Sequence, residues 1–355
     1  MSAAHATVDL DNAEGLLEAD REGLLRAVAM AGAQVRATAA AADEGALESL
    51  ASDQRPRTVI WLAGRGSAES AGAMLTASLG ATAGEPIVAA AQAPPWIGPL
   101  DVLVVAGDDP GDPALVSAAA TAVRRGARVV VAAPCEGPLR DVTAGRAAVL
   151  APRLWVPDDF GLCRYLAAGL AVLGVVDPAI RTDLAALADE LDAEALRNSP
   201  DREVFTNPAK ALAGRMSGRQ AVLAGDCPGT LALARHGGAA MLRLGGRPVA
   251  AAGLADALLA LRAPTRFADP VDALFHDEEI DGPLPGRLRV LALALAEERP
   301  ALSARIAGID DVDLVGVEDV GEAGSVPATA GRAEQLAALA VRLEMAAVYL
   351  RLAGG

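Results

Sequence analysis

Two short polar turns concentrate the chemistry that this sequence can offer. The first is Gly64-Arg65-Gly66-Ser67, where small residues let backbone N–H groups and one hydroxyl approach a ligand. An alanine-rich helical pattern follows it directly, so the turn sits where a helix N-terminus favours an anion. The second turn runs from Gly107 through Asp108 and Asp109 to Asp112, and its three carboxylates suit a cation or an amino sugar, or cap the helix that starts at Pro113. His236, beside Gly237, is a candidate acid or base because imidazole titrates near neutrality; with no carboxylate at i±3 or i±4 it also reads as a surface or cap histidine. Arg243, further along the same helical pattern, is the other candidate in that region. His276, in FHDEE, has three acids beside it and reads as a proton-transfer or metal position, or as part of a solvated acidic loop. Lys210 is the sole lysine among 31 Lys and Arg residues, so lysine chemistry uses it or is absent. The turn Asn207-Pro208 before it reads as a helix cap followed by a first-turn proline.

The elements that must position these residues repeat. An apolar β-branched run, a glycine turn and an alanine-rich helix occur at Thr58–Gly72 and again at Gln220–Arg235, the local pattern of a parallel α/β sheet. Strands are expected at Thr58–Ala63, Pro86–Ala91, Asp101–Ala106, Ala127–Ala133 and Ala147–Ala151, with a crossover helix at Pro113–Arg125. Leu162–Leu173 and Ala179–Leu196 read as two connecting helices. A second series has strands at Gln220–Ala224, Pro248–Ala252, Arg289–Leu293 and Asp313–Val317, and a closing helix at Ala333–Leu352. Amphipathic helices over Asn12–Ser52 precede the first strand and read as a cap or a dimer surface. Pro264–Pro285, rich in turn formers and acids, reads as a loop. The expected fold is α/β with two domains, 1–153 and 154–355, each a parallel sheet flanked by helices.

Composition removes several function classes. With 52% hydrophobic residues the chain can bury a large core, and a formal net charge of −15 repels nucleic acid and anionic membranes. The apolar run Tyr165–Val176 is too short to span a bilayer, and no basic region precedes an apolar N-terminal stretch, so a cytoplasmic protein is expected. Cys135, Cys163 and Cys227 have neither pair nor metal-ligand spacing and read as free thiols. Gly64-x-Gly66 lacks the third glycine of a dinucleotide loop, because Glu69 stands there, and no nucleophile elbow is present. Neither a cofactor nor a metal is expected.

The order of elements resembles a tandem sugar-isomerase (SIS) protein, and most closely the bifunctional phosphoglucose/phosphomannose isomerase family. The resemblance covers nearly the whole chain: ADREGLLRAV before the GRGSA loop, DVLVVAGDDPGDPALVSAAATAVRRGARVVVAA, TNPAKALAGRMSGRQAVLAG and the closing LAALAVRLEMAAVYLRLAGG. It implies two SIS-like domains, a homodimer, a sugar phosphate or other carbohydrate derivative as ligand, and metal-free aldose–ketose isomerisation of hexose 6-phosphates. The matched ligand residues are Gly64, Arg65, Gly66, Ser67, Gly107, Asp108 and Asp109.

The chemistry of that resemblance breaks at the matched positions. The family's hydroxyl-rich phosphate loop falls on Ala106–Gly111, where carboxylates replace the hydroxyls. Unit charges ~4 Å apart repel by about 4 kcal/mol at an effective dielectric near 20, against roughly 0.3–1 kcal/mol from a helix N-terminus. The family's glutamate base falls at about Arg243, its histidine in Ala250–Leu259, which has none, and its late lysine is missing. An arginine cannot take up a C2 proton. Two readings follow: an isomerase-type carbohydrate-derivative-binding protein with little or no activity, or a non-catalytic binding or regulatory protein in sugar-nucleotide or cell-wall metabolism.

Overall fold

The computed structural model describes residues 8–52, 54–262, 288–318 and 331–354. The loop Pro264–Pro285 with His276 lies outside them. Helices α1 (Ala13–Ala19), α2 (Leu24–Ala29) and α3 (Ala31–Asp43) lead into a five-stranded sheet of β1 (Thr58–Leu62), β2 (Ile87–Ala90), β3 (Asp101–Ala106), β4 (Arg128–Ala132) and β5 (Ala147–Val149). All its pairings are parallel, in the order β2-β1-β3-β4-β5. The runs Val-Ile-Trp-Leu and Val-Leu-Val-Val are buried along their whole length, as strands covered on both faces must be. Helices α4 (Gly66–Leu79), α5 (Pro113–Arg124) and α6 (Gly137–Thr143) make the crossovers.

After α7 (Leu162–Val176) the expected second connecting helix is broken. Pro178–Ile180 forms a 3-10 turn, and α8 (Leu184–Arg197) starts at Asp183, whose carboxylate accepts from the N–H groups of Ala185 and Ala186. Then α9 (Pro208–Met216) starts with Asn207 as cap. Among the described residues the second sheet has four parallel strands, β6 (Gln220–Gly225), β7 (Ala250–Gly253), β8 (Leu288–Leu293) and β9 (Val312–Val315), in the order β7-β6-β8-β9. Helices α10 (Pro228–Arg243), α11 (Leu254–Arg262), α12 (Arg299–Ile306) and the closing α13 (Arg332–Gly354) flank it. The architecture is therefore α/β with two parallel sheets, each between helices, as expected.

Glycine acts differently in the two βα turns. Gly66 has φ +67°, a conformation that side chains with a Cβ rarely adopt. Gly225 has no such φ. A Cβ there would run into the backbone of Thr230 and Leu231, so its role is to let α10 approach its strand.

One apolar core joins the inner faces of both sheets through α4, α7, α10 and α13. Separate clusters lie under α5 on the outer side of the first sheet and under α11 on that of the second. The early helices do not form a free cap: Leu24, Leu25, Val28 and Val35 belong to the joint core, where α2 and α3 pack against α7, α8 and α13. Their apolar sides are used inside the chain.

Buried charge fastens this arrangement. Glu194 on α8 is 0% exposed and accepts from Arg342 on α13, which is 1% exposed, at 2.7 and 3.1 Å, and from Arg197 at 3.1 and 2.8 Å. Asn198 adds a third donor at 2.7 Å, and Arg342 also donates to the Gly316 carbonyl at 2.6 Å. Burial alone would raise the Glu194 carboxyl; the guanidinium of Arg342, foremost among its partners, and that of Arg197 outweigh it and hold the group below its ordinary value. Leaving one member of such a pair uncompensated costs about 3–5 kcal/mol. Arg342→Met should lower unfolding free energy by about that amount in urea denaturation. A loss under about 1 kcal/mol would show that the pair does not hold the helices together.

Glu85 is the opposite case. It is buried with neither carboxylate oxygen hydrogen-bonded, and burial, reinforced by Asp177, pushes its carboxyl up against the opposing pull of Arg55. The unfolded chain loses this proton near the usual glutamate value while the folded chain keeps it. Its contribution therefore falls as pH rises through that window, by about 1.4 kcal/mol per unit until the folded carboxyl ionises. Glu85→Gln should be more stable than the parent, with a gap that widens from about pH 4 upward; a gap independent of pH refutes the assignment.

Candidate functional site

The turns after β1 and β3 lie side by side at the carboxyl edge of the first sheet, where ligands of open α/β sheets bind. Together with the 3-10 turn Asp158–Phe160 and the end of α10 they enclose a cavity of about 310 Å³. All seven ligand residues expected from the sequence line it: Gly64, Arg65, Gly66, Ser67, Gly107, Asp108 and Asp109. Arg243, from the other half of the chain, reaches the same cavity and pairs with Asp159 at 2.9 Å.

Three side chains of the two turns are engaged with protein backbone. Ser67 is buried, and its hydroxyl faces the carbonyls of Asp158 and Asp159 at 3.4 and 3.3 Å, so it pins the third wall instead of pointing at a ligand. Asp112 caps α5 by accepting from the Ala114 N–H at 2.8 Å, and Asp109 accepts from Gly111 at 2.8 Å. Arg65, 74% exposed along its side chain, stands 3.8 Å from Asp109 and 3.6 Å from Asp112. Pairs so exposed hold their partners by no more than about 1 kcal/mol.

Asp108 is the most perturbed group in the cavity. Its carboxylate accepts from Arg164 Nη2 at 2.9 Å and from the Tyr165 hydroxyl. Burial pushes its carboxyl up, aided by neighbouring Asp158, while the Tyr165 hydrogen bond and the Arg164 charge restrain the rise. Burial likewise pushes the Tyr165 phenol upward, so it stays a donor at neutral pH. Five carboxyl groups (Asp108, Asp109, Asp112, Asp158, Asp159) thus face two guanidiniums (Arg65, Arg243) among the lining residues. The site suits hydroxyl and ammonium donors better than a dianion.

Asp158, Asp159, Arg164 and Tyr165 are not among the residues expected from the sequence. A signal exists: Arg164-Tyr165 is a polar pair at the start of the otherwise apolar LCRYLAAGLAVLGVV, the kind of residue that needs a buried partner.

Other expectations are relocated. His236 is neither a surface nor a cap residue; it is buried and its Nε2 lies 2.9 Å from Glu344 on α13. That carboxylate is 108 positions away, which a search at i±4 could not find. His236 does not line the cavity that holds Arg243. Lys210 is buried and donates to the carbonyls of Pro200 and Arg202, both at 2.7 Å, away from the cavity. In the second βα turn, Thr230 and Cys227 cap α10 reciprocally and Asp226 pairs with Arg305 at 2.6 Å. His276 lies outside the described residues. Among the described residues no group of three or more His, Cys, Asp and Glu could hold a metal ion, and no helix is long and apolar enough to cross a membrane.

No family model matches the sequence, and no curated protein is significantly similar to it. Solved structures are similar over nearly the full chain. Tagatose-6-phosphate ketose/aldose isomerase from Escherichia coli has a TM-score of 0.61 at 14% identity, covering 99% of this chain and 95% of that one. A glucose-6-phosphate isomerase like protein from Thermus thermophilus has a TM-score of 0.54 at 20% identity, covering 98% and 94%. The C-terminal domain of glucosamine-fructose-6-phosphate aminotransferase from Francisella tularensis has a TM-score of 0.56 at 10% identity, covering 93% and 95%. The likeness establishes the fold: two parallel sheets flanked by helices, shared with phosphosugar isomerases.

The Tyr165 hydroxyl stabilises the charged form of Asp108, so Tyr165→Phe should move the Asp108 titration to higher pH, read from its carboxyl ¹³C shift. A midpoint that stays put or falls would show that this hydrogen bond does not tune the site. The same change should cost about 0.5–1.5 kcal/mol of stability.

Proposed function

We propose that the protein binds a carbohydrate derivative without phosphate at the carboxyl edge of its first sheet, and that it catalyses hexose-phosphate isomerisation weakly or not at all. One observation carries the reading: the cavity formed by both βα turns is lined by five carboxyls, and the hydroxyl of Ser67 is turned to backbone carbonyls. Planar carboxylates accept paired hydrogen bonds from vicinal hydroxyls and attract an ammonium, whereas each would repel a phosphate oxygen by about 4 kcal/mol at ~4 Å and an effective dielectric near 20. The position of the glutamate base of the phosphoglucose/phosphomannose isomerase type falls to Arg243, which stays charged and cannot take up a proton. On this reading a first domain, 1–153, supplies the two turns. The second, 154–355, supplies Asp158, Asp159 and Arg243, and two chains assemble as a homodimer in the cytoplasm.

A second reading, a working sugar-phosphate isomerase, is favoured by one specific feature. Arg65 is exposed and only loosely held, and Arg243 is at hand, so the two guanidiniums could turn together onto a phosphate. The neighbours that carry sugar-phosphate names fit it. A ³¹P NMR time course with fructose 6-phosphate separates the two. Unchanged sharp lines are expected; growth of glucose or mannose 6-phosphate resonances above a heat-killed control would overturn the first reading in favour of the second.

A further inference from the structure

A second cavity of about 270 Å³ adjoins the first, and Asp108 and Asp158 line both. Its wall differs in kind. Trp155, between Leu154 and Val156, is 85% exposed and lines this cavity. Arg164 is only 8% exposed; its Nη2 is held by Asp108, its guanidinium lies over the Tyr165 ring at 4.1 Å, and its Nη1 is buried without a hydrogen-bond partner. Gln34 and Arg153 complete the polar side, the former fixed on the Phe160 carbonyl at 3.0 Å and the latter on Glu44 at 2.9 and 2.6 Å.

Each cavity lies near the lower end of the roughly 300–1,000 Å³ that small-molecule sites span, so each has room for about one ring. An exposed indole beside fixed polar groups is a surface on which a ring can lie flat while its oxygens meet donors. Asp108 and Asp158 line both cavities and so stand between two rings placed in them.

Taking the carbohydrate-derivative reading as given, we propose that the ligand is a glycoside: a sugar ring between the two βα turns, and a second ring in the adjoining cavity, stacked on Trp155. Asp108 and Asp158 then lie beside the linkage, and the site selects for what the sugar is attached to.

The test compares methyl and phenyl glycosides of glucose, mannose, galactose and N-acetylglucosamine by isothermal titration. The phenyl compound should bind about two- to ten-fold more tightly than the methyl glycoside of the same sugar, the order of gain that one aromatic stack supplies. Trp155→Ala should abolish that gain while keeping methyl glycoside affinity within about two-fold, and Trp155→Phe should restore part of it. Methyl glycoside binding with no phenyl gain, or a gain that Trp155→Ala leaves intact, overturns the second-ring cavity alone. Binding of neither class overturns this proposal and the carbohydrate reading together. The fluorescence of Trp155 gives a second readout, expected to change with phenyl and not with methyl glycosides.

Discussion

The buried carboxylate of Glu194 constrains the rest of the structure. Removed from water, it must be fully paired, and its donors come from Arg197 and Asn198 on its own stretch and Arg342 on the closing helix. Asn198 in turn accepts the Ala209 N–H on its side-chain oxygen at 2.8 Å, and its backbone carbonyl accepts from the Tyr349 hydroxyl at 2.6 Å. These bonds tie the end of α8, the start of α9 and the body of α13 together. The far end of α10 lies against the Asp158–Asp159 turn, where Arg243 reaches the cavity.

The cavity at the edge of the first sheet has a predominantly acidic lining. A βα turn at the edge of a parallel sheet offers N–H groups and a helix dipole to an anion. Here five carboxyls line that space, and the Ser67 hydroxyl faces protein carbonyls. Asp108 is held by Arg164 and Tyr165, Asp112 by the start of α5, and Ser67 by the opposite wall. Asp112 is compatible with the fold because a capping aspartate stabilises a helix start whatever the ligand is. The result is a preformed polar pocket with an acidic bias.

Much of this was legible in the sequence because it rests on local periodicity. Buried parallel strands require β-branched apolar runs, and the turns after β1 and β3 are marked by glycine and by a capping aspartate before Pro113. Adjacent strands of one sheet put their turns side by side, so the seven turn residues fall in one cavity. Strand ends differ by one or two residues, and the helix expected from Ala179 starts only at Leu184, because terminal residues carry little periodicity. Asp158 and Asp159 carry no local signal, since nothing near them in the chain says that they face Ser67, 91 and 92 positions earlier.

The sequence by itself determined the α/β layering, the two parallel sheets and the position of the polar turns, because these follow from interactions between residues near one another in the chain. Tertiary structure alone decided which side chains are partners. His236 and Glu344, Glu194 and Arg342, and Asp108 with Arg164 and Tyr165 are brought together by helix packing over long separations. Burial then sets their energetics: a carboxyl with donors, as at Glu194, is held ionised, and one without, as at Glu85, is pushed toward its neutral form. Solvent exclusion is a property of the assembled molecule, and no pattern of neighbouring residues encodes it.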